Sequence, residues 1–351
     1  MAEPLQPRQA VLRMAPYSPP TSGRMDKLRL DFNENTVGAS PRVVAALKSA
    51  LTENALAVYP EYGETKTALS RFFGVPEDHF VLTNGTDEAI QVLVNTYVDG
   101  GEQVLLLKPT YAMYRFYCEV AAAGVVEIPY RADTLEFPLE ELLDQIGSGT
   151  RAILIANPNN PTGTGTTLNG IEAILAKATS AAVLVDEAYC EFSGVTALPL
   201  LSKYPNLFVS RTFSKAYGMA AMRCGCLFSQ PGNTTFLHKA QSPYSVNTLA
   251  AVAASAAVTD TDFIRDYVAE ALAARELLYR GFEKLGIRYW PSQANFVLFH
   301  AGARAIQIRD RLRESRILVR DRSYELPGCV RVTAGTSQQA RRFLEELEAI
   351  W

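Results

Sequence analysis

The chain is poor in the residues that build metal centres and cross-linked frameworks, with five cysteines and three histidines in 351 residues. Cys118, Cys190, Cys224, Cys226 and Cys329 are odd in number and scattered. That argues against a disulfide framework and for reduced, buried thiols in a cytoplasmic protein. Cys224 and Cys226 supply two ligands at most, His79, His238 and His300 lie far apart in sequence, and zinc asks for four ligands or three plus water. No metal site is expected. Charge of either sign is also not in excess: 34 Lys and Arg oppose 37 Asp and Glu, for a net charge of -3, which gives no electrostatic footprint for nucleic acid. The arginines between Arg304 and Arg322 interleave with Asp310, Glu314 and Asp321, the pattern of a solvated helix face. No apolar run approaches the ~18–20 residues of a membrane span, and the first residues carry no signal-peptide apolar core.

What is present is a long alternation of strand and helix patterns. Apolar strands are expected at Phe80–Thr83, Gln103–Leu107, Val125–Ile128, Ala152–Ala156, Ala182–Asp186, Asn206–Ser210 and Gly225–Phe228, with helices at Thr86–Val98, Tyr111–Ala122 and Leu168–Ala178. This predicts an α/β fold, a mostly parallel seven-stranded sheet covered on both faces by helices. Such sheets bind ligands beyond the carboxyl ends of their strands. Residues 1–39 read as a proline-rich arm with a short strand, Leu28–Phe32, belonging to the smaller domain, and 40–250 as the large domain. Residues 251–351 read as a smaller α+β domain with a long helix at Asp262–Leu285 and strands at Phe296–Phe299 and Val330–Thr333. Ser40-Pro41 opens a helix, serine capping and proline in the first turn.

Five stretches fall at strand ends. Ser210-Arg211-Thr212-Phe213-Ser214-Lys215 sets one lysine among hydroxyls, with Arg223 eight residues on. An amine can form a Schiff base with an aldehyde cofactor, and hydroxyls with a guanidinium suit a phosphate dianion. The alternative for this stretch by itself is a surface lysine in a Ser/Thr-rich turn. Asn84-Gly85-Thr86-Asp87 opens a helix and makes either an anion site at its free amides or an ordinary cap. Tyr111, after Lys108-Pro109-Thr110, offers an aromatic face to a planar ring, or packs under its helix with Tyr114 and Tyr117. Asn157-Pro158-Asn159-Asn160-Pro161-Thr162-Gly163 is a rigidly defined turn that aims Asn160. Asp186 ends an apolar strand, where a buried carboxylate needs a cationic partner such as a protonated pyridine nitrogen, and otherwise would be a solvated strand terminus. Tyr189 follows within reach of the same ring.

The ordered set resembles the fold-type-I family of pyridoxal-5'-phosphate enzymes. Within it, Asn159-Asn160-Pro161-Thr162-Gly163 and Ser214-Lys215-Ala216-Tyr217-Gly218-Met219-Ala220-Ala221-Met222-Arg223-Cys224-Gly225 are most similar to the histidinol-phosphate aminotransferases. The likeness runs from about Pro16 to the C-terminus. It implies pyridoxal 5'-phosphate as cofactor, Lys215 as the Schiff-base lysine, Asp186 at the ring nitrogen, Tyr189 and Asn160 at the ring hydroxyl, and Tyr111 stacked on the ring. It further implies Gly85, Thr86, Asp87, Thr212, Ser214 and Arg223 around the cofactor phosphate. Arg331, Asn160, Tyr17 and Arg320 would meet the substrate, and Tyr59 would reach a partner subunit's site in a homodimer. The implied reaction is ping-pong transfer of an amino group from histidinol phosphate to 2-oxoglutarate. Rivals that share the cofactor residues are an aromatic or other amino-acid aminotransferase and a threonine-phosphate decarboxylase-like lyase. A non-catalytic, DNA-reading regulator is disfavoured, because the roughly thirty residues before the α/β region are too few and too proline-rich for a helix-turn-helix. Three features depart from the family pattern: Asp31-Phe32-Asn33-Glu34-Asn35, Arg211 among smaller residues, and a short stretch between Arg320 and Arg331, so that Arg322 competes for the role given to Arg320.

Overall fold

The computed structural model describes residues 5–16 and 22–351. Strand β1 (Leu28–Arg29) precedes seven strands that form one sheet: β2 (Phe80–Thr83), β3 (Gln103–Lys108), β4 (Gly124–Pro129), β5 (Thr150–Ala156), β6 (Ala182–Asp186), β7 (Leu207–Thr212) and β8 (Gly225–Phe228). Their spatial order is β2-β8-β7-β6-β5-β3-β4. All pairings are parallel except those of β8, which runs antiparallel to both neighbours. The central strands are continuous apolar runs because helices cover both faces. Alternate residues feed two cores: Leu105, Ile153, Val183 and Val209 on one face, Val104, Leu154, Leu184 and Phe208 on the other.

The smaller domain is a four-stranded antiparallel sheet, β12-β13-β10-β9, built from β9 (Tyr289–Trp290), β10 (Phe296–His300), β12 (Arg320–Asp321) and β13 (Cys329–Thr333). Beside it, β1 pairs in parallel with β11 (Ile317–Leu318). The 24-residue helix Thr261–Lys284 spans ~36 Å at ~1.5 Å per residue. Tyr267 and Ala271 lie in the large-domain core, and Ala274, Leu278 and Phe282 in the core of the smaller sheet. One rigid element therefore joins the two.

The predicted strands and the helices named above are present within one to three residues of their expected ends. Several elements were not expected, among them the short helix Gln9–Leu12 inside the arm, the helices Gly63–Phe73 and Pro231–Ala240, and strands β9, β11 and β12. The expected strand Leu28–Phe32 is paired only at Leu28–Arg29, because the chain then leaves β11 to cross the large domain. The expected boundary at 250/251 falls inside the helix Thr248–Ala257, whose alanines pack in the large-domain core. Small side chains let it approach neighbouring helices closely. Ser40 caps the helix Pro41–Ala50 as expected, its hydroxyl accepting from the Val43 amide at 3.2 Å. No helix among the described residues is long and apolar enough to cross a membrane.

Candidate active site

Most of the predicted residues lie at the carboxyl ends of the central strands. Asp186 is the last residue of β6, and the turn from Asn157 follows β5 beside it. Lys215 and its hydroxyl neighbours follow β7, and Tyr111 follows β3. Parallel register brings these ends into one row.

Asp186 is 3 % exposed. Its Oδ2 accepts from the Tyr114 hydroxyl at 2.9 Å, while Oδ1 has no partner among the described residues. Desolvation raises its carboxyl to about 6, against the pull of the Tyr114 hydrogen bond. A buried carboxylate with one oxygen unpaired is a costly arrangement for a fold to keep without a cation to meet it. Tyr114 is fully buried, and its phenol is pushed well up by that burial and by the Asp186 charge. One turn earlier on the same helix, Ala112–Val120 with Tyr111 as its N-cap, the Tyr111 hydroxyl donates to Asp87 Oδ1 at 2.8 Å. The two rings meet edge to face, 5.7 Å apart. Tyr111 thus packs with Tyr114 and also faces the row of strand ends. Sequence reading placed Tyr114 only in a packing role; its spacing of three from Tyr111 was the available signal.

At the start of the helix Gly85–Tyr97, Gly85 has φ +73°, and a Cβ there would sit 2.5 Å from the Arg223 guanidinium. The left-handed backbone is what favours glycine here, and any Cβ would also push the Arg223 guanidinium aside. Arg223 pairs with Asp87 at 3.2 Å and donates to Ser214 Oγ at 3.3 Å. Thr212 Oγ1 accepts from the Ser214 amide at 3.1 Å. Gly85, Thr86, Asp87, Thr212, Ser214 and Arg223 therefore form one cluster at a helix N-terminus. The Asp87 side chain is engaged by Tyr111 and Arg223, which leaves its main-chain amide for an anion.

The N-terminal segment, not the sheet, covers Lys215. Lys215 Nζ donates to the Phe32 carbonyl at 2.9 Å and lies 5.8 Å from the centroid of the Tyr189 ring. The Tyr189 hydroxyl accepts from Asn33 Nδ2 at 2.9 Å, and Asn33, at φ +56°, is anchored by its amide to Thr333 Oγ1 at 3.1 Å. Arg331 is 4 % exposed and has no carboxylate within 4.0 Å among the described residues. It donates to Asn160 Oδ1 and to the Asp31 carbonyl and lies over the Phe296 ring. Burial, with Arg322 and Arg320 nearby, lowers its pKa to about 10. A buried guanidinium held by neutral acceptors is prepared for a ligand's anion.

Arg320 is half-buried with its guanidinium over Phe32, and Arg322 is buried against Glu325. Both are therefore near Arg331, and the choice between them does not reduce to one residue. Tyr59 is not in this cluster. It is 74 % exposed and stacked on Tyr244 with centroids 4.5 Å apart. Tyr17 lies outside the described residues. Arg211, an oddity in sequence, lies within 3.4 Å of the buried Glu187 carboxylate and 3.7 Å of the half-buried Glu191. No group of His, Cys, Asp and Glu among the described residues is suited to a metal.

Known proteins resemble this chain along nearly its whole length. Residues 25–347 match the family model for aminotransferase class I and II. A histidinol-phosphate aminotransferase of Symbiobacterium thermophilum is 38% identical over 97% of this chain and 98% of its own length. One of Geobacillus thermodenitrificans is 34% identical over 98% and 97%. The crystal structure of histidinol-phosphate aminotransferase from Sinorhizobium meliloti, in complex with pyridoxal-5'-phosphate, has the same fold, with a TM-score of 0.86 at 24% identity over 98% of each chain. The chain belongs to the class I and II aminotransferases.

Proposed function

We propose that this aminotransferase moves the amino group of histidinol phosphate to 2-oxoglutarate, using pyridoxal 5'-phosphate. The observation that carries the cofactor reading is the buried Asp186 carboxylate with Oδ1 unpartnered, in the same row of strand ends as Lys215. The curated relatives, named for that reaction and matched along nearly their whole length, support the donor.

The residues present fit the cofactor. The cluster of Gly85, Thr86, Asp87, Thr212, Ser214 and Arg223 supplies amides, hydroxyls and a guanidinium for its phosphate. When bound, the cofactor supplies an aldehyde that condenses with amines and a ring that takes up electrons from the substrate carbon. Asp186 holds the proton on the ring nitrogen, since a carboxylate in a buried site strongly favours a cation beside it. Lys215 Nζ is the amine that would hold the cofactor aldehyde and, as a free amine, would move the proton at the substrate carbon. Its hydrogen bond to the Phe32 carbonyl fixes where the amine sits. Tyr189, oriented by Asn33, and Asn160, oriented by Arg331, bind the ring hydroxyl. Arg331 and Arg320 would bind the anionic end of either substrate, and Tyr111 would offer its face to the ring.

A homodimer completes this reading. Leu51, Leu56, Val58, Tyr59 and Tyr244 are all more than half exposed, an apolar patch that a second copy would cover. All five cysteines are buried and free, which supports a reducing, cytoplasmic setting. The test is a set of single half-reactions, followed by loss of the bound cofactor's visible band, with histidinol phosphate, phenylalanine, tyrosine and glutamate. Histidinol phosphate is expected to react with the highest second-order rate constant. A higher value for phenylalanine or tyrosine would reassign the donor, and release of carbon dioxide would make the enzyme a lyase.

A further inference from the structure

Antiparallel pairing sets Arg320 opposite Arg331 across β12 and β13, and the Arg322 amide continues the ladder to the Cys329 carbonyl at 2.9 Å. Residues two apart on a strand point the same way, so Arg320 and Arg322 share the face on which Arg331 lies. That face is turned to the large domain: Arg331 lies over Phe296, and Phe296 packs edge-on against Tyr189 at 5.2 Å. Three guanidiniums thus occupy one small area, two of them buried.

Among the described residues one carboxylate pairs with them. Glu325 pairs with Arg322, whose Nε has no partner there, whereas Arg320 and Arg331 have no carboxylate within 4.0 Å among those residues. Burial raises the Glu325 carboxyl while Arg322, Arg331 and Arg320 all favour its charged form, so all three cations act on it. The pair is not needed to hold its turn. The Glu325 and Leu326 amides already donate to the Arg322 carbonyl at 3.0 and 2.8 Å, and the Cys329 amide to the Leu326 carbonyl at 3.0 Å.

We propose that Glu325 is a specificity-determining residue: its carboxylate cancels the charge of Arg322 and sets the substrate-anion face at two net positive charges, matched to a phosphate-monoester dianion and not to more highly charged phosphates. The proposal rests on the reading of Arg331 as a substrate-anion contact. Three unpaired guanidiniums would draw in any polyanion; two plus a neutralised third discriminate by charge number.

The experiment measures binding of inorganic phosphate, pyrophosphate and glutarate to the holoenzyme by competitive inhibition. Glu325→Gln is expected to tighten phosphate about a hundredfold, the effect of one charge on a dianion at ~8 Å and an effective dielectric of ~30, and pyrophosphate by more. Arg322→Gln is expected to weaken both by a similar factor, the double variant to return within about threefold of the parent, and Arg322→Lys to bind as the parent does. If Glu325→Gln weakens phosphate or leaves it unchanged, the pair is a structural pin and the proposal is wrong. Arg331→Gln separates the two readings. If it binds phosphate and glutarate like the parent, the assignment of the anion face fails; if it loses both while Glu325→Gln has no effect, only the role of Glu325 fails.

Discussion

Tyr114→Phe removes one oxygen from a fully buried ring and leaves its packing against Tyr111 in place. The lost hydroxyl is the donor to Asp186 Oδ2 at 2.9 Å. A hydrogen bond to a charged acceptor contributes ~1.5–3 kcal/mol, and about 1.4 kcal/mol corresponds to one pH unit. The Asp186 carboxyl, already raised to about 6, should therefore move up by a further ~1–2 pH units. The carboxylate is the form that pairs with a cationic ring nitrogen, so cofactor affinity of the apo-enzyme should fall off as the pH drops below that value. The assay is a titration of apo-enzyme with pyridoxal 5'-phosphate, followed by visible absorbance between about pH 5.5 and 9. The acidic midpoint should shift upward by ~1–2 pH units in the variant. The apo-variant should also lose more stability against the parent at about pH 8, where the lost hydrogen bond to the carboxylate costs ~1.5–3 kcal/mol, than at about pH 5.5. A midpoint that moves by less than ~0.3 pH units would show that Tyr114 does not control the charge on Asp186.

Lys215→Ala should bind the cofactor only non-covalently, so that denaturation without reductant releases all of it, and turnover should be lost; retention of a covalently held chromophore would move the tether to another amine. Asp186→Asn should lower turnover by about 10²–10⁴. It should also stabilise the apo-protein above pH 6. An acid whose pKa is raised on folding contributes stability only below its unfolded value, here 3.8, and that contribution is lost as the pH rises through about 6. The ionised Asp186 thus costs about 3 kcal/mol at neutral pH, and an apo-variant melting no higher than the parent at pH 7.5 would contradict this. Arg211→Met should destabilise by about 3–5 kcal/mol at neutral pH, since it leaves the Glu187 carboxylate buried without its cation; urea denaturation checks it, and a change under ~1 kcal/mol would mean that Glu187 is already neutral. Burial pushes the Glu191 carboxyl up to about 8, with the Glu187 charge adding to the rise, so Glu191 is mostly protonated at neutral pH and adds to the deficit only as the pH rises through that value.

The large sheet was legible because strands covered on both faces must be apolar throughout, and because the chemistry-bearing residues interrupt those runs at one end only. Asp186, Lys215 and the turn at Asn157–Gly163 stood out for that reason. Residues that act through a neighbour stood out less. Tyr114 looks like one more aromatic on an amphipathic helix, and its partner lies 72 positions away. The cover over Lys215 had no sequence signal, since the acceptor is a main-chain carbonyl that any residue carries. Arg322 and Glu325 were hidden among alternating charges that look like a solvated surface, and only the short strand β12 turns them inward. Glycine at 85 could be read as a turn former, but not as the place where the Arg223 guanidinium rests.

The strap formed by residues 31–33 speaks to Arg331, Lys215 and Tyr189 in turn, and two of those three conversations are held by peptide oxygens. Those two contacts ask only that the path of the chain be kept, while the side chains serve elsewhere: Asp31 pairs with Arg24 at 2.8 Å, and the Arg24 guanidinium lies over the Phe32 ring. Libraries meant to alter donor preference should therefore vary the length or curvature of this strap before its side chains.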